Sequence, residues 1–146
     1  MDIGSGSGYP SSSLSNFAPH PFVIDGIECN SMEGFLQSLK FENQDMQKEV
    51  CKLVGKRAKF KGKKKKWWRT QTLCWQDKVM KRDSDEYQEL PTKAYYCLNT
   101  NEGFRKVLAS TKGCTLTHSI GKNKITETVL TERKFIKQLN RLRGSL

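Results

Sequence analysis

The sequence predicts an α+β domain, mostly helical, with a small antiparallel sheet or hairpin. Three observations carry this. Apolar residues recur at helical spacing in several segments, most of them opened by a Ser, Thr, Asn or Asp cap. One short stretch, "PFVIDGIECNS", instead alternates apolar residues around Asp25-Gly26, the signature of a tight hairpin. The chain has 146 residues, 36% hydrophobic, which suits one domain with a real core.

The elements follow in order. "MDIGSGSG" alternates Gly and Ser and lacks both a basic start and an apolar run, so residues 1–8 are expected as a flexible leader and not a signal peptide. Residues 9–146 form the domain. After the hairpin, Ser31 caps a helix over about residues 32–42, with Met32, Phe35, Leu36 and Leu39 on its inner face. "DMQKEVCKLVGKRAKF" reads as a second helix with Asp45 as N-cap, an inner face of Met46, Val50, Leu53 and Val54, and Gly55 at its end. "KGKKKKWWRTQ" has no apolar period and reads as a basic loop. "TLCWQDKV" is expected to be extended.

"RDSDEYQELPTKAYYCLN" opens with Asp83 and Glu86 spaced as a variant capping box, and Pro91 is expected to bend or split that helix. "NEGFRKVLASTKG" is a further helix between Asn101 and Gly113. "TLTHSIGKNK" is read as a strand entering a loop. "TERKFIKQLNRLR" closes the chain as a helix capped by Thr131 and built on Phe135, Leu139 and Leu142.

Composition narrows the function classes. A net charge of +11 predicts attraction to polyanions such as nucleic acid, nucleotide phosphates or an anionic surface. No apolar run approaches the roughly 18 residues of a membrane span. Five cysteines, odd in number and never in a C-x-x-C pair, with only His20 and His118 beside them, argue against a zinc site and for a reducing compartment.

Three groups of residues can carry chemistry. Glu33, Gln37 and Lys40 fall within roughly 60° of arc on one helix stripe, opposite the apolar face. The stripe is either a solvated Glu–Lys surface or a site. Lysines between Lys56 and Lys66 lead into Trp67-Trp68-Arg69. Alone they make a solvated loop; with the indoles they make a nucleic-acid surface, because bases stack on rings while ammonium groups neutralise phosphates. "HSIGK" is either an ordinary turn or a small phosphate-holding one, in which Gly121 frees backbone N–H groups and Lys122 adds charge.

The phrase "LSNFAPHPFVIDGIECNSMEGFLQSLKF" resembles the opening of the NADAR domain family (NAD- and ADP-ribose-associated, YbiA-like). That opening reads S-N-F, a hairpin with a D/N-G turn, then S/T-x-E and a helix ending in K-F. Ser15, Asn16, Phe17, Gly26, Ser31, Glu33, Gln37, Lys40 and Phe41 fall in register. The likeness continues through "LCWQDKVMKRDSDEYQEL", "NEGFRKVLAST", "LTHSIGK" and "TVLTERKFIKQLNRLR", as in a divergent member. Many members have His where this chain has Gly34, and a W-G-x-G loop where it has "HSIGK".

The resemblance implies an N-glycosidase that cleaves a ribose C1–N bond. Some members act on phosphorylated riboflavin-pathway intermediates, others remove ADP-ribose from guanine in DNA or RNA; the charge favours the polymeric substrate. It implies Glu33 and Lys40 as catalytic groups. Asn16 would hold ribose hydroxyls, Trp75 would stack on the base, and Phe17, Gln37, Arg82, His118 and Gly121 would complete the substrate contacts. Lys63, Lys64, Lys65, Lys66 and Trp67 would meet nucleic acid. No metal, cofactor or membrane is implied, and the location is cytoplasmic, or the host cytoplasm for a phage-encoded chain. A non-catalytic ADP-ribose or nucleic-acid binder is the reading from another class.

Overall fold

The computed structural model describes Met1–Leu146. In chain order its elements are α1 (Ser11–Leu14), β1 (Phe22–Ile24), β2 (Ile27–Cys29), α2 (Met32–Ser38), α3 (Gln44–Cys51), α4 (Gly55–Lys63) and a 3₁₀ turn at Trp67–Arg69. Then come β3 (Thr72–Trp75), β4 (Lys78–Lys81), α5 (Asp85–Leu98), α6 (Glu102–Ser110) and α7 (Glu132–Gly144). The class is the one expected: helices around two small antiparallel hairpins.

The first hairpin pairs Phe22 with Cys29 and Ile24 with Ile27. Its turn uses positive φ at Asp25 and Gly26, as the favoured two-residue hairpin turn requires. The second pairs Thr72 with Lys81 and Trp75 with Lys78 around Gln76, also at positive φ. Its return strand was not foreseen, because β4 buries only Met80 and so shows almost no apolar alternation.

Helix α2 lies at the centre, and its face of Met32, Phe35, Leu36 and Leu39 is buried as the periodicity requires. Phe35 meets the Trp75 indole edge-on at 5.0 Å, and that contact seats the second hairpin. Helices α5, α6 and α7 close the core with Tyr87, Tyr95, Phe104, Phe135 and Leu139.

Several boundaries differ from the sequence reading. Asn43, not Asp45, caps α3, its side chain accepting from the Met46 N–H at 2.9 Å. That helix ends at Cys51, and Gly55 opens α4 instead of closing α3. The stretch expected as a basic loop, residues 61–71, enters helix only where α4 reaches Lys63 and in the 3₁₀ turn at Trp67–Arg69; α4 itself has a buried stripe of only Ala58 and Gly62. Small residues give no hydrophobic period to read, yet they let two helices approach closely.

Ser84, not Asp83, caps α5, accepting from the Tyr87 N–H. Pro91 does not split α5, which runs unbroken through it. Residues 115–124 form no strand; only Asp2 and Thr117 make an isolated bridge. The expected flexible leader is anchored: Ile3 is buried in the core, and the Asp2 carboxylate accepts from the Ser119 N–H at 2.8 Å. The Gly/Ser alternation concealed that one apolar anchor.

Candidate active site

Helix α2 presents its polar stripe to a cavity of about 300 Å³, at the small end of the range for ligand pockets. The site starts with capping. Ser31 Oγ accepts from the Gly34 N–H at 3.0 Å and donates to the Leu53 carbonyl at 2.8 Å, fixing the first turn of α2 on the α3–α4 link. Gly34 faces that link so closely that an added Cβ would sit 2.6 Å from the Leu53 carbonyl oxygen. A histidine, as in the resembled family, has no room there.

The Glu33 N–H donates to the Asn16 carbonyl at 2.9 Å, which docks the Ser15–Phe17 segment on the start of α2. Tyr95, from α5, donates its hydroxyl to Asn16 Oδ1 at 2.6 Å. Burial holds the Tyr95 phenol well above its ordinary range, so it stays a neutral donor. The Asn16 amide N–H₂ is left available to a ligand.

Gln37 Nε2 donates to Glu33 Oε1 at 2.8 Å and holds the carboxylate in place. Gln37 is 7% exposed, and its Oε1 is buried without a partner. It rests against Gly62 of α4, where an added Cβ would lie 2.8 Å from the Gln37 carboxamide carbon and closer still to Oε1. Gly62→Ala is therefore expected to push Gln37 off Glu33, lowering both Tm and ligand affinity. A Gly62→Ala protein matching wild type in melting and ligand titration would remove Gln37 from the support of the site.

Burial pushes Glu33 above the ordinary carboxylate range, against the opposing pull of Gln37 and of Lys40 and Lys59. Burial pulls Lys40 below the ordinary lysine range, and the Glu33 charge offsets only part of this. A carboxyl raised and an amine lowered in one cleft can exchange a proton more readily than the same groups in water.

The far wall comes from residues 118–122 and the start of α7. The His118 ring lies edge-on to Phe135 at 5.1 Å, and Nδ1 sits 2.8 Å from the Ile3 carbonyl. That carbonyl requires an N–H on Nδ1. Gly121 packs on Glu132 and His118 with no space for a Cβ. Of the two readings of "HSIGK", the ordinary turn fits: the Gly121 N–H donates to the His118 carbonyl and the Ser119 N–H to Asp2, so neither of these is left for a phosphate.

The cavity gathers Asn16, Phe17, Glu33, Gln37, Lys40, His118, Gly121 and Trp67. Two expected contacts lie elsewhere. Trp75 is a core residue whose Nε1 donates to Asp25 Oδ2 at 2.8 Å, so it offers no face to a base. Arg82 lines a separate hollow. Sequence reading missed Tyr95 and Glu132, and it placed Lys59 in the lysine run and Lys122 in the 118–122 turn without joining either to Glu33; only contacts across the fold do so. No three His, Cys, Asp or Glu side chains converge as a metal site. No helix is long and apolar enough to cross a membrane.

Lys63, Lys64, Lys65 and Lys66 are exposed at the end of α4 and just beyond it, and Lys65 lies 4.9 Å over the Phe41 ring. Trp67 is buried in the cavity wall, whereas Trp68 is 52% exposed beside Arg69. The indole available for stacking is therefore Trp68. The chain holds two ion pairs, Lys93–Asp25 and Lys124–Glu127, so none of these lysines is in an ion pair, although Lys65 and Lys66 line an open hollow with Glu42, Asp45 and Glu49.

Comparison with known proteins bears out the expected fold and places the chain in a bacteriophage protein family. The chain is similar to an NMR structure of the E. coli protein YbiA, with a TM-score of 0.65 and 17% identity over 99% of this chain and 83% of that one. At that identity the likeness bears on the fold, and the YbiA-like architecture expected from the sequence is the one present. It is 41% identical to the uncharacterized 17.1 kDa protein in the Gp30–rIII intergenic region of Enterobacteria phage T4, over 100% of this chain and 98% of the relative. The family model described as bacteriophage protein GP30.3 matches residues 8–144, and the chain belongs to that family.

Proposed function

We propose that this protein is an N-glycosidase that cleaves a ribose C1–N bond, removing ADP-ribose from guanine in DNA or RNA. The observation that carries the reading is the pairing of Glu33 and Lys40 in one cavity, shifted by burial in opposite directions. As the bond to nitrogen breaks, positive charge grows on the ribose, and a fixed carboxylate stabilises it. Water supplies OH to C1 and a proton to the departing base. The exposed positive charge of α4 and the segment after it, with Trp68 exposed among it, supports a polymeric substrate.

The small volume of the cavity favours a second reading, a compact phosphorylated glycoside such as a riboflavin-pathway intermediate. Incubation with ADP-ribosylated DNA and, separately, with that intermediate decides between them. Release of ADP-ribose from DNA is the expected result. Turnover of the intermediate alone selects the second reading, and binding without turnover selects a non-catalytic module.

A salt titration adds an independent measure. Replacing Lys63, Lys64, Lys65 and Lys66 together with Gln should weaken DNA binding and flatten the slope of log K against log salt. The change is about 0.7–0.9 per lost phosphate contact. An unchanged slope removes this segment from the nucleic-acid interface.

A further inference from the structure

Val129, Leu130 and Thr131 form part of the wall of the cavity beside Glu33, and behind them lies another hollow, of about 210 Å³. Its charged lining is entirely positive: Arg82, Arg133, Lys134 and Lys137, with no Asp or Glu among the lining residues. Neither of the chain's two ion pairs involves these cations.

Arg82 is the unusual member. It is only 3% exposed, yet its guanidinium gives the protein a single hydrogen bond, from Nε to the Thr128 carbonyl at 2.9 Å. The group packs over the Tyr87 ring at 5.1 Å, and its two terminal amino groups have no partner in the chain. A guanidinium stays protonated even when buried, so a cation with idle donors faces the hollow without a counterion. Its planar fork matches the oxygens of a phosphate. Crowding of like charge points the same way: burial, then Lys137, Arg141 and Arg82, hold the Lys134 ammonium below its usual range.

We propose that this hollow binds a phosphate group, with Arg82 and Lys134 as the main contacts and Lys137 and Arg133 at the rim. Arg82 also holds the Thr128 carbonyl, so an anion that fixes its guanidinium steadies the 128–131 wall of the cavity beside Glu33. The group is either free inorganic phosphate or a phosphate of a nucleic-acid strand. The site does not depend on the glycosidase reading, since inorganic phosphate alone probes it.

Thermal unfolding and calorimetric titration of the intact chain with sodium phosphate and pyrophosphate, against sodium chloride at matched ionic strength, form the test. Phosphate should raise Tm beyond chloride, by mass action on the folded state. Lys134→Gln/Lys137→Gln changes only half-buried and exposed side chains and should weaken phosphate binding at least about tenfold. Its melting without phosphate should be equal or higher, because like charges have been removed. Lys48→Gln/Lys52→Gln, on α3 and just past its end, removes the same net charge elsewhere and should leave phosphate binding unchanged.

Arg82→Met should abolish binding; if it does not fold, the lysine variants decide alone. A short single-stranded oligonucleotide separates the two sources. A loss specific to the Lys134/Lys137 variant assigns the site to nucleic-acid phosphates, and oligonucleotide binding equal in both double variants assigns it to the free ion. Phosphate binding that is absent, or equally weakened by both double variants, overturns the proposal.

Discussion

Glu33→Gln should lower turnover by about 10²–10³-fold, the range for removing one preorganised electrostatic group. The replacement keeps the shape and can still accept from Gln37 Nε2, so α2 and its neighbours should not move. What disappears is the negative charge opposite the developing positive charge on ribose. KM should change far less than kcat, because a charge that acts mainly in the transition state contributes little to ground-state binding. Activity within a few-fold of wild type would exclude Glu33 from the chemistry.

The same substitution has a second readout in stability. Burial raises the Glu33 pKa in the folded protein above the ordinary value near 4.5. Between those two values the folded state binds more protons than the unfolded one. Wild-type stability therefore falls as pH rises through that window, and the cost is complete above the raised value. Glu33→Gln lacks it, so its Tm should equal or exceed wild type at neutral pH, and the difference should vanish below the unfolded value. A buried charge held for function at the expense of stability behaves in this way. A Glu33→Gln protein that melts lower at pH 7 but not at pH 4 would mean that the carboxylate is structural.

How much of this was legible in the sequence depends on what each element buries. The Asp25-Gly26 turn, the Ser31 cap and the apolar face of α2 were readable because each is a local rule with its partners a few residues away. Helix α4 was not, because its packing surface is Ala58 and Gly62, which carry no hydrophobic signal. The stripe of Glu33, Gln37 and Lys40 was visible as a stripe, but its burial was not: the wall that covers it arrives from Asn16, His118 and Glu132, which are distant in sequence. Trp75 and Arg82 were misplaced for the same reason. A tryptophan at the end of one short strand and an arginine just after the next say nothing about which side of the molecule they face, and here the first enters the core and the second a separate hollow.

Lys40→Arg should preserve substrate binding and abolish turnover if the amine takes part chemically. Lys40 lies just past the C-terminal end of α2, its N–H bonded to the Gln37 carbonyl, so the chain keeps its side chain in the cavity with Glu33. Burial lowers its pKa, and more of the amine is neutral at pH 7 than on an exposed lysine. A neutral Nζ can bond to ribose C1 as the base leaves with a proton; ring opening then gives an imine, and water releases the sugar and restores the lysine. Borohydride added during turnover should reduce that imine and leave a sugar adduct that mass spectrometry locates at Lys40.

Arginine keeps the positive charge beside Glu33 but stays protonated, so it cannot form the imine. The pH dependence separates the roles further. Wild-type kcat should rise with pH as Lys40 loses its proton, and that rise should be missing from any residual activity of Lys40→Arg. Stability moves in the same direction in the wild type: the lowered folded pKa penalises the charged form, and the penalty is lifted as pH rises from the folded value toward 10.5. Full activity in Lys40→Arg, with no adduct trapped, would leave Lys40 as a charge that orients the substrate and assign the hydrolysis to water attacking C1 beside Glu33.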